Sequence, residues 1–276
     1  MRGSSDRSEG FDAVQLTDET LTKLTDLQLS DVSLFYFDDG SEVDDDAPRC
    51  KAHPGDDSYP DETAWKVLDI LSGGKLIKTV PLGSACYEGP HYDADKCQFL
   101  TDHWNASETQ YVSSPSLSLH ARIVLTFYNS ITDPTSLMSP LYEGATCEPG
   151  GAALGKECTL GGFPLYSLNV STVADVQLAV NFARNLNLRL VVRNTGHDFL
   201  GKNTGEGALS IWTHNHREIE VIREYESAGG RYKGPAFRLG AGVMVHEIYE
   251  VAEREGYTAV GGECPVSFLG AAAPTT

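Results

Sequence analysis

The chain has 276 residues, enough for one large domain or two modest ones, and its 41% hydrophobic content can supply a sizeable core. It carries 21 basic and 39 acidic residues, a formal net charge of −18, which argues against a nucleic acid or an anionic membrane as partner because phosphates would be repelled. The sequence contains no run of about 18 apolar residues, so we predict no transmembrane helix and no membrane partner.

The six cysteines are more informative by position than by number. Four of them form two pairs that are close in sequence, Cys86 with Cys97 and Cys147 with Cys158. Both pairs lie in segments rich in glycine and proline, where a local disulfide is sterically easy. We therefore predict two disulfides, with Cys50 and Cys264 left unpaired.

The cellular compartment stays open at this stage. Glycosylation acceptor triplets begin at Asn105 and Asn169, and together with the cysteine pairs they favour an oxidising compartment. Residues 1–10, however, are polar and charged and lack the apolar region of a secretory signal.

The first 160 residues give weak structural signals. Residues 1–47 contain acidic clusters and are predicted to be weakly ordered, except for the apolar run Val32–Phe37, which fits a strand or a docking segment. We expect residues 48–160 to form a Cys/Pro/Gly-rich extension that packs on the following domain. Within it, the spacing of apolar residues predicts a helix over Thr63–Leu71, and Leu76–Val80 is typical of a strand.

From residue 161 onward the sequence alternates strand and helix patterns, and we assign 161–276 to one domain. Thr172 with Asp175 forms a capping box that predicts the start of a helix. Helices are predicted over Ala174–Leu186 and Val245–Glu255, and strands over Tyr166–Val170, Leu188–Val192, Ala208–Trp212, Ala236–Leu239 and Tyr257–Val260. The strand Leu188–Val192 is apolar enough to be largely buried.

A glycine-rich loop follows that strand directly. It runs from Arg193 to Gly207 and reads RNTGHDFLGKNTGEG. Glycines let backbone N–H groups approach an anion closely, and a concave run of such groups binds a pyrophosphate. The loop is neither a Rossmann fingerprint nor a P-loop. On composition alone, a long surface turn is an equally good interpretation.

Several segments in this order resemble fungal FAD-linked oxidases of the vanillyl-alcohol-oxidase superfamily, in the berberine-bridge-enzyme-like group. The matching segments are Cys158–Gly162, Asn181–Arg184, Arg189–His214, Gly240–Val243 and Val260–Pro265. A looser match extends the resemblance to roughly residues 48–265. The resemblance implies an α+β fold, a PCMH-type FAD-binding domain built of two α/β subdomains.

The resemblance also implies FAD as the cofactor, bonded through two side chains. His197 matches the histidine that is bonded to the 8α-methyl carbon of FAD in many such oxidases, and Cys264 matches the cysteine bonded to the ring's C6. An imidazole nitrogen and a thiolate are both nucleophiles that suit these bonds. The other cofactor-binding candidates are Arg193, Asn194, Thr195, Gly196, Asp198, Gly201, Thr204 and Gly262.

By the same resemblance, we expect an oxidase that acts on a small-molecule substrate, of secondary-metabolite or alkaloid type, with O2 as electron acceptor. Relatives continue for about as much chain again after the segment matching Pro265, so we expect the substrate domain to be missing here. The alternative is a truncated remnant that keeps the flavin loop but does not turn over. No catalytic base is assigned. A metal site at His214 and His216 is not favoured, because two imidazoles without a third ligand are weak evidence.

Overall fold

The computed structural model describes residues 16–37, 50–104, 134–135, 144–198 and 200–262. Its helices are α1 (Asp18–Leu21), α2 (Asp26–Leu29), α3 (Glu62–Leu71), α4 (Ala94–His103), α5 (Val173–Asn185) and α6 (Val245–Arg254). Its strands are β1 (Leu76–Lys78), β2 (Tyr166–Asn169), β3 (Leu190–Arg193), β4 (Leu209–Trp212), β5 (Ile219–Glu226) and β6 (Lys233–Leu239). The mixture of helices with two separate sheets confirms the predicted α+β class.

The larger sheet has the strand order β1-β2-β4-β3. β1 is antiparallel to β2, whereas β2, β4 and β3 are mutually parallel, with Tyr166 and Leu190 both opposite Leu209. Parallel neighbours cannot be joined by a tight turn, so the chain must cross over between them. Helix α5 makes the crossover from β2 to β3. The crossover from β3 to β4 spans residues 194–208 and contains all of the glycine-rich loop except Arg193, which ends β3.

One face of this sheet packs against α3 and α5. Helix α5 begins at the predicted capping box, in which the Thr172 hydroxyl accepts from the Asp175 N–H and the Asp175 carboxylate accepts from the Thr172 N–H. The apolar positions of the helix then face inward, where the Phe182 ring lies 5.0 Å from that of Trp65. Burial of these aromatic and aliphatic side chains is the main stabilising contribution to the fold.

Residues 16–37, part of the segment predicted to be weakly ordered, form helices and dock on this core. Short capped helices α1 and α2 lead into a 3₁₀ helix over Ser30–Phe35, so the run at Val32–Phe37 is a docking segment and not a strand. Phe35 is fully buried and stacks on Phe182, with ring centroids 5.3 Å apart. The Asn181 amide donates to the Phe35 carbonyl at 3.1 Å.

Both predicted disulfides are present, Cys86–Cys97 and Cys147–Cys158. The loops that they close pack together: the Tyr87 hydroxyl donates to the Glu148 carbonyl at 2.7 Å. Cys50 is a free, exposed cysteine.

The remaining element predictions have mixed outcomes. The helix at 63–71 and the strand at 76–80 are confirmed to within two residues, and so are the helices α5 and α6. The sequence did not predict α4 and β5 or the short helices α1 and α2. Residues 257–260 form no strand, because the Tyr257 N–H instead bonds back to Ala252 at the end of α6. β3 lies at an edge of the sheet, and Val192 is 58% exposed, so the expectation of a largely buried strand is wrong there.

The domain boundaries proposed from the sequence stay predictions. Within the described residues, no helix has the length and apolar character needed to cross a bilayer.

Candidate functional site

The glycine-rich loop starts at the carboxyl end of β3, next to the carboxyl end of β4. Arg193, the last residue of β3, pairs with Trp212, the last residue of β4. The carboxyl ends of parallel strands are the usual place where a sheet binds ligands. The sheet therefore places the start of the loop at an edge where a ligand-binding site is expected.

Three glycines shape the loop. Gly196 has φ 85°, and Gly201 and Gly207 each have φ 65°, all in the left-handed region that costs an L-residue with a side chain about 1 kcal/mol or more. Gly196 turns the chain immediately before His197, whose backbone N–H donates to the Thr195 hydroxyl at 3.4 Å. Thr195 is buried and His197 is half-buried, so the His197 side chain is partly exposed.

Asp198 organises the second half of the loop. Its carboxylate accepts the backbone N–H of Leu200 at 2.9 Å and that of Lys202 at 2.7 Å. Burial alone would raise the pKa of Asp198, but these hydrogen bonds and the Lys202 ammonium outweigh it, so the pKa lies below its ordinary value. Asp198 is therefore ionised at neutral pH and shapes the loop.

The Asn194 side chain and backbone are tied to the end of β4 and to the turn after β6. The Trp212 indole N–H donates to the Asn194 carbonyl at 3.0 Å, and the Asn194 amide N–H donates to the Ala241 carbonyl at 3.2 Å. The His214 Nδ1 lies 3.1 Å from the Asn194 Oδ1. We call these four residues, Asn194, Trp212, His214 and Ala241, the Asn194 network.

The turn Gly240-Ala241-Gly242 fits against the residues after β4 only because it contains glycine. A Cβ on Gly242 would lie 2.3 Å from the Thr213 carbonyl oxygen, and a Cβ on Gly240 would lie 2.3 Å from the His216 carbonyl oxygen. The Thr213 hydroxyl lies within hydrogen-bonding distance of the carbonyls of both Ala241 and Arg193, at 3.2 and 3.3 Å. The loop, the end of β4 and the turn after β6 thus form one hydrogen-bonded unit.

His214 is 1% exposed and stacks on Trp212, with ring centroids 5.9 Å apart. Burial lowers the pKa of His214 to about 4, and the Arg217 and Arg193 guanidinium groups add to that effect, whereas Glu247 opposes it. The imidazole is therefore neutral at physiological pH.

Upstream segments buttress the far end of the loop. The Thr204 hydroxyl donates to the Gly162 carbonyl at 2.7 Å, and the Tyr59 hydroxyl donates to the Gly207 carbonyl at 2.9 Å. Burial, with a smaller contribution from Tyr166, raises the pKa of Tyr59 to about 12, so this donor stays protonated. Arg193 is 2% exposed and its guanidinium donates to the Pro134 carbonyl.

The structure brings together most of the residues predicted to bind the cofactor. Those from Arg193 to Thr204 lie in one loop. Gly262 lies elsewhere in the sequence, on the exposed segment after α6, where its carbonyl accepts from the Tyr249 hydroxyl at 2.9 Å. Cys264 lies outside the described residues. Among the residues that the structure does describe, no three His, Cys, Asp or Glu side chains gather as a metal site would require.

Sequence reasoning missed the role of His214 and Trp212 in holding Asn194. The available signal was their position directly at the end of a strand parallel to β3, which places them beside the start of the loop. The sequence does not indicate which partner each side chain takes.

Comparison with known proteins identifies similar sequences for most of the chain. Residues 164–275 match the FAD binding domain family. The FAD-linked oxidoreductase ZEB1 of Gibberella zeae is 39% identical over 216 residues, which are 78% of this chain and 34% of that protein. The VAO-type flavoprotein oxidase VAO615 of Thermothelomyces thermophilus is 38% identical over 221 residues, 79% of this chain and 35% of that protein.

A solved structure shows the same fold. The crystal structure of the VAO-type flavoprotein MtVAO615 from Myceliophthora thermophila matches with a TM-score of 0.63 and 38% identity, covering 79% of this chain and 36% of that one. The chain thus spans about a third of the length of these relatives. Residues 164–275 match the FAD binding domain family, and the chain is similar over most of its length to about a third of each of several fungal FAD-linked oxidoreductases and VAO-type flavoproteins.

Proposed function

We propose that this chain is the FAD-holding part of an oxidase that acts on a small-molecule substrate and passes electrons to O2. The observation that carries the proposal is the glycine-rich loop at the joined carboxyl ends of β3 and β4, in a segment that matches an FAD binding domain. FAD, when bound, supplies the redox chemistry, taking two electrons from the substrate and giving them to O2.

The residues of the loop fit a dinucleotide. The left-handed turns at Gly196 and Gly201 open the backbone to the close approach that a diphosphate needs. The Asn203 Oδ1 is buried and meets no hydrogen-bond donor among the described residues. A dinucleotide offers ribose hydroxyl and amine donors that suit such an acceptor.

His197 is the proposed attachment point to the 8α carbon of FAD, with Cys264 as a second one at C6. The imidazole is half-buried on a loop whose backbone is fixed on both sides, by the Asn194 network before it and by the Asp198 carboxylate after it. His197 would hold the cofactor through an imidazole nitrogen. The attachment would be a two-electron oxidation in which the imidazole gives up a proton and the methyl group a hydride, with O2 as the oxidant and H2O2 as the product.

The substrate class is proposed from the relatives. One similar protein, 40% identical over 225 residues, is named a bifunctional decalin synthase of Penicillium decumbens, and others are named fungal FAD-linked oxidoreductases. These names support a small molecule of secondary-metabolite type as the substrate. The described residues assign no catalytic acid or base.

The test is covalent flavin uptake. The purified chain is incubated with FAD in air, precipitated with acid, and examined by visible absorbance and by peptide mass spectrometry. We expect a yellow pellet and a flavin mass on the peptide that contains His197. The variant His197→Ala should lose that label, whereas His216→Ala, which alters a histidine outside the loop, should keep it. A colourless pellet from the parent chain, with no flavin mass at His197 or Cys264, would refute covalent attachment.

A further inference from the structure

His214 has a buried imidazole to which the proposed function assigns no task. It sits two residues beyond the end of β4, 1% exposed, with one face stacked on Trp212. Its Nδ1 lies 3.1 Å from the side chain of Asn194, the second residue of the glycine-rich loop. His197 follows Asn194 by three residues.

The hydrogen bonds of Asn194 fix which atom of His214 donates. The Asn194 Nδ2 donates to the Ala241 carbonyl, which is an acceptor only, so the amide oxygen must face His214. The imidazole is neutral, as its lowered pKa requires, and so one of its ring nitrogens carries hydrogen. Because Nδ1 faces an acceptor oxygen, the hydrogen must sit on Nδ1.

This bond orients the whole amide of Asn194. With the His214 donor in place, the amide oxygen and nitrogen are each satisfied in one orientation only. Without it, the half-buried amide oxygen of Asn194 loses its donor, and the amide is free to turn away from Ala241. Such a turn would release the loop from the Gly240-Ala241-Gly242 turn just before Gly196 and His197.

We propose that His214 is a positioning residue for the glycine-rich loop: its Nδ1–H donates to Asn194 and so holds residues 194–198 in the conformation that accepts FAD. The expected effect on FAD affinity rests on the proposed function. The ordering of the loop by His214 does not, because it depends only on the hydrogen bond to Asn194. A residue that only filled space would act through its apolar faces, whereas this role requires a donor at the Nδ1 position.

Two substitutions separate these roles. His214→Asn keeps an N–H donor close to the Nδ1 position but gives up the ring's volume. His214→Leu fills much of the volume but has no donor. A donor role therefore predicts that Asn preserves the loop better than Leu, and a space-filling role predicts the reverse. His216→Leu is the control, since the His216 side chain bonds to Ser171 and not to the loop.

The first measurement needs no flavin. Hydrogen–deuterium exchange of the backbone in the peptide containing residues 193–198 should be about tenfold faster in His214→Leu than in the parent chain, because the half-buried Asn194 side chain has lost the donor that holds it. It should stay within about threefold of the parent in His214→Asn and be unchanged in His216→Leu.

The second measurement is the dissociation constant for FAD, from quenching of flavin fluorescence. It is made in a background carrying His197→Ala and Cys264→Ala, so that no covalent bond masks the equilibrium. The constant should rise about tenfold in His214→Leu and by less than about threefold in His214→Asn.

Each outcome bears on one claim. Equal exchange in His214→Leu and the parent, or slower exchange in His214→Leu than in His214→Asn, would overturn the positioning role. A parent chain that binds no FAD would overturn the proposed function, while the exchange data would still decide the role of His214.

Discussion

Docking of residues 16–37 can be tested by truncating its central anchor, Phe35. The Phe35 side chain is fully buried and stacks on Phe182 of α5 at 5.3 Å. Substitution of a buried phenylalanine by alanine removes the transfer free energy of the ring and leaves a cavity, a loss of about 3–5 kcal/mol. We expect Phe35→Ala to lower the free energy of unfolding by that amount, which is a large share of the 5–15 kcal/mol typical of a domain (an order-of-magnitude comparison).

Urea denaturation followed by tryptophan fluorescence suits this test, because Trp65 lies 5.0 Å from Phe182 in the same cluster. The matched control is Phe37→Ala, since Phe37 is 61% exposed and its loss should cost less than about 0.5 kcal/mol. A loss below about 1 kcal/mol for Phe35→Ala, or equal losses for both variants, would refute the view that this segment is part of the core.

Three further predictions concern the sheet and the site. His214 has its pKa lowered from 6.5 to about 4, so the unfolded chain binds more protons as pH falls below 6.5 and stability is lost. Between about pH 7.5 and about pH 5.5, the free energy of unfolding of the parent should fall by about 1.3 kcal/mol more than that of His214→Asn. Urea denaturation at each pH measures this difference, and the same pH dependence in both proteins would contradict the prediction. Asp175 is 5% exposed, and its carboxylate accepts hydrogen bonds from the Lys75 ammonium at 2.8 Å and from two backbone N–H groups. Burial alone would raise the pKa of Asp175, but these hydrogen bonds and the Lys75 charge outweigh it, so the pKa lies below its ordinary value. Asp175→Asn should therefore cost about 2 kcal/mol at neutral pH, and its deficit relative to the parent should shrink as pH falls below the unfolded pKa of 3.8, as measured by urea midpoints. Gly242→Ala places a Cβ 2.3 Å from a backbone oxygen and should lower the free energy of unfolding by about 2 kcal/mol or more, as measured by thermal or urea unfolding. Gly150→Ala is the control, because the space around Gly150 is open and the change should stay within about 0.5 kcal/mol. Equal effects of the two variants would show that the turn is not tightly packed.

Elements with strong local signals could be predicted from the sequence. The capping box at Thr172 and the apolar spacing after it determine α5 because both act within one or two helical turns. The disulfides could also be predicted, since each joins cysteines 11 residues apart. The composition of the glycine-rich loop indicated an anion-binding turn, and the structure places the start of that loop at the carboxyl ends of parallel strands.

The signals failed where a contact outside the segment decides its structure. Strand β5 carries the charged sequence IEVIREYE and was missed, because it is stabilised by pairing with β6 and not by an alternating apolar pattern. Residues 257–260 have the composition of a strand, yet Tyr257 bonds back to α6. Propensity decides such short segments only when no stronger tertiary contact competes.

The sequence by itself determined the helices α3, α5 and α6, the two disulfides and the loop that carries His197, since each depends on residues close together in the chain. Only the tertiary structure decided that residues 16–37 dock on α5 and that His214 bonds to Asn194. Those contacts join residues that are 146 and 20 positions apart: the Asn181 amide to the Phe35 backbone carbonyl, and the His214 ring to the Asn194 side chain. The choice of partner for a buried donor or acceptor is set by the packing of whole elements, which composition and spacing do not encode locally.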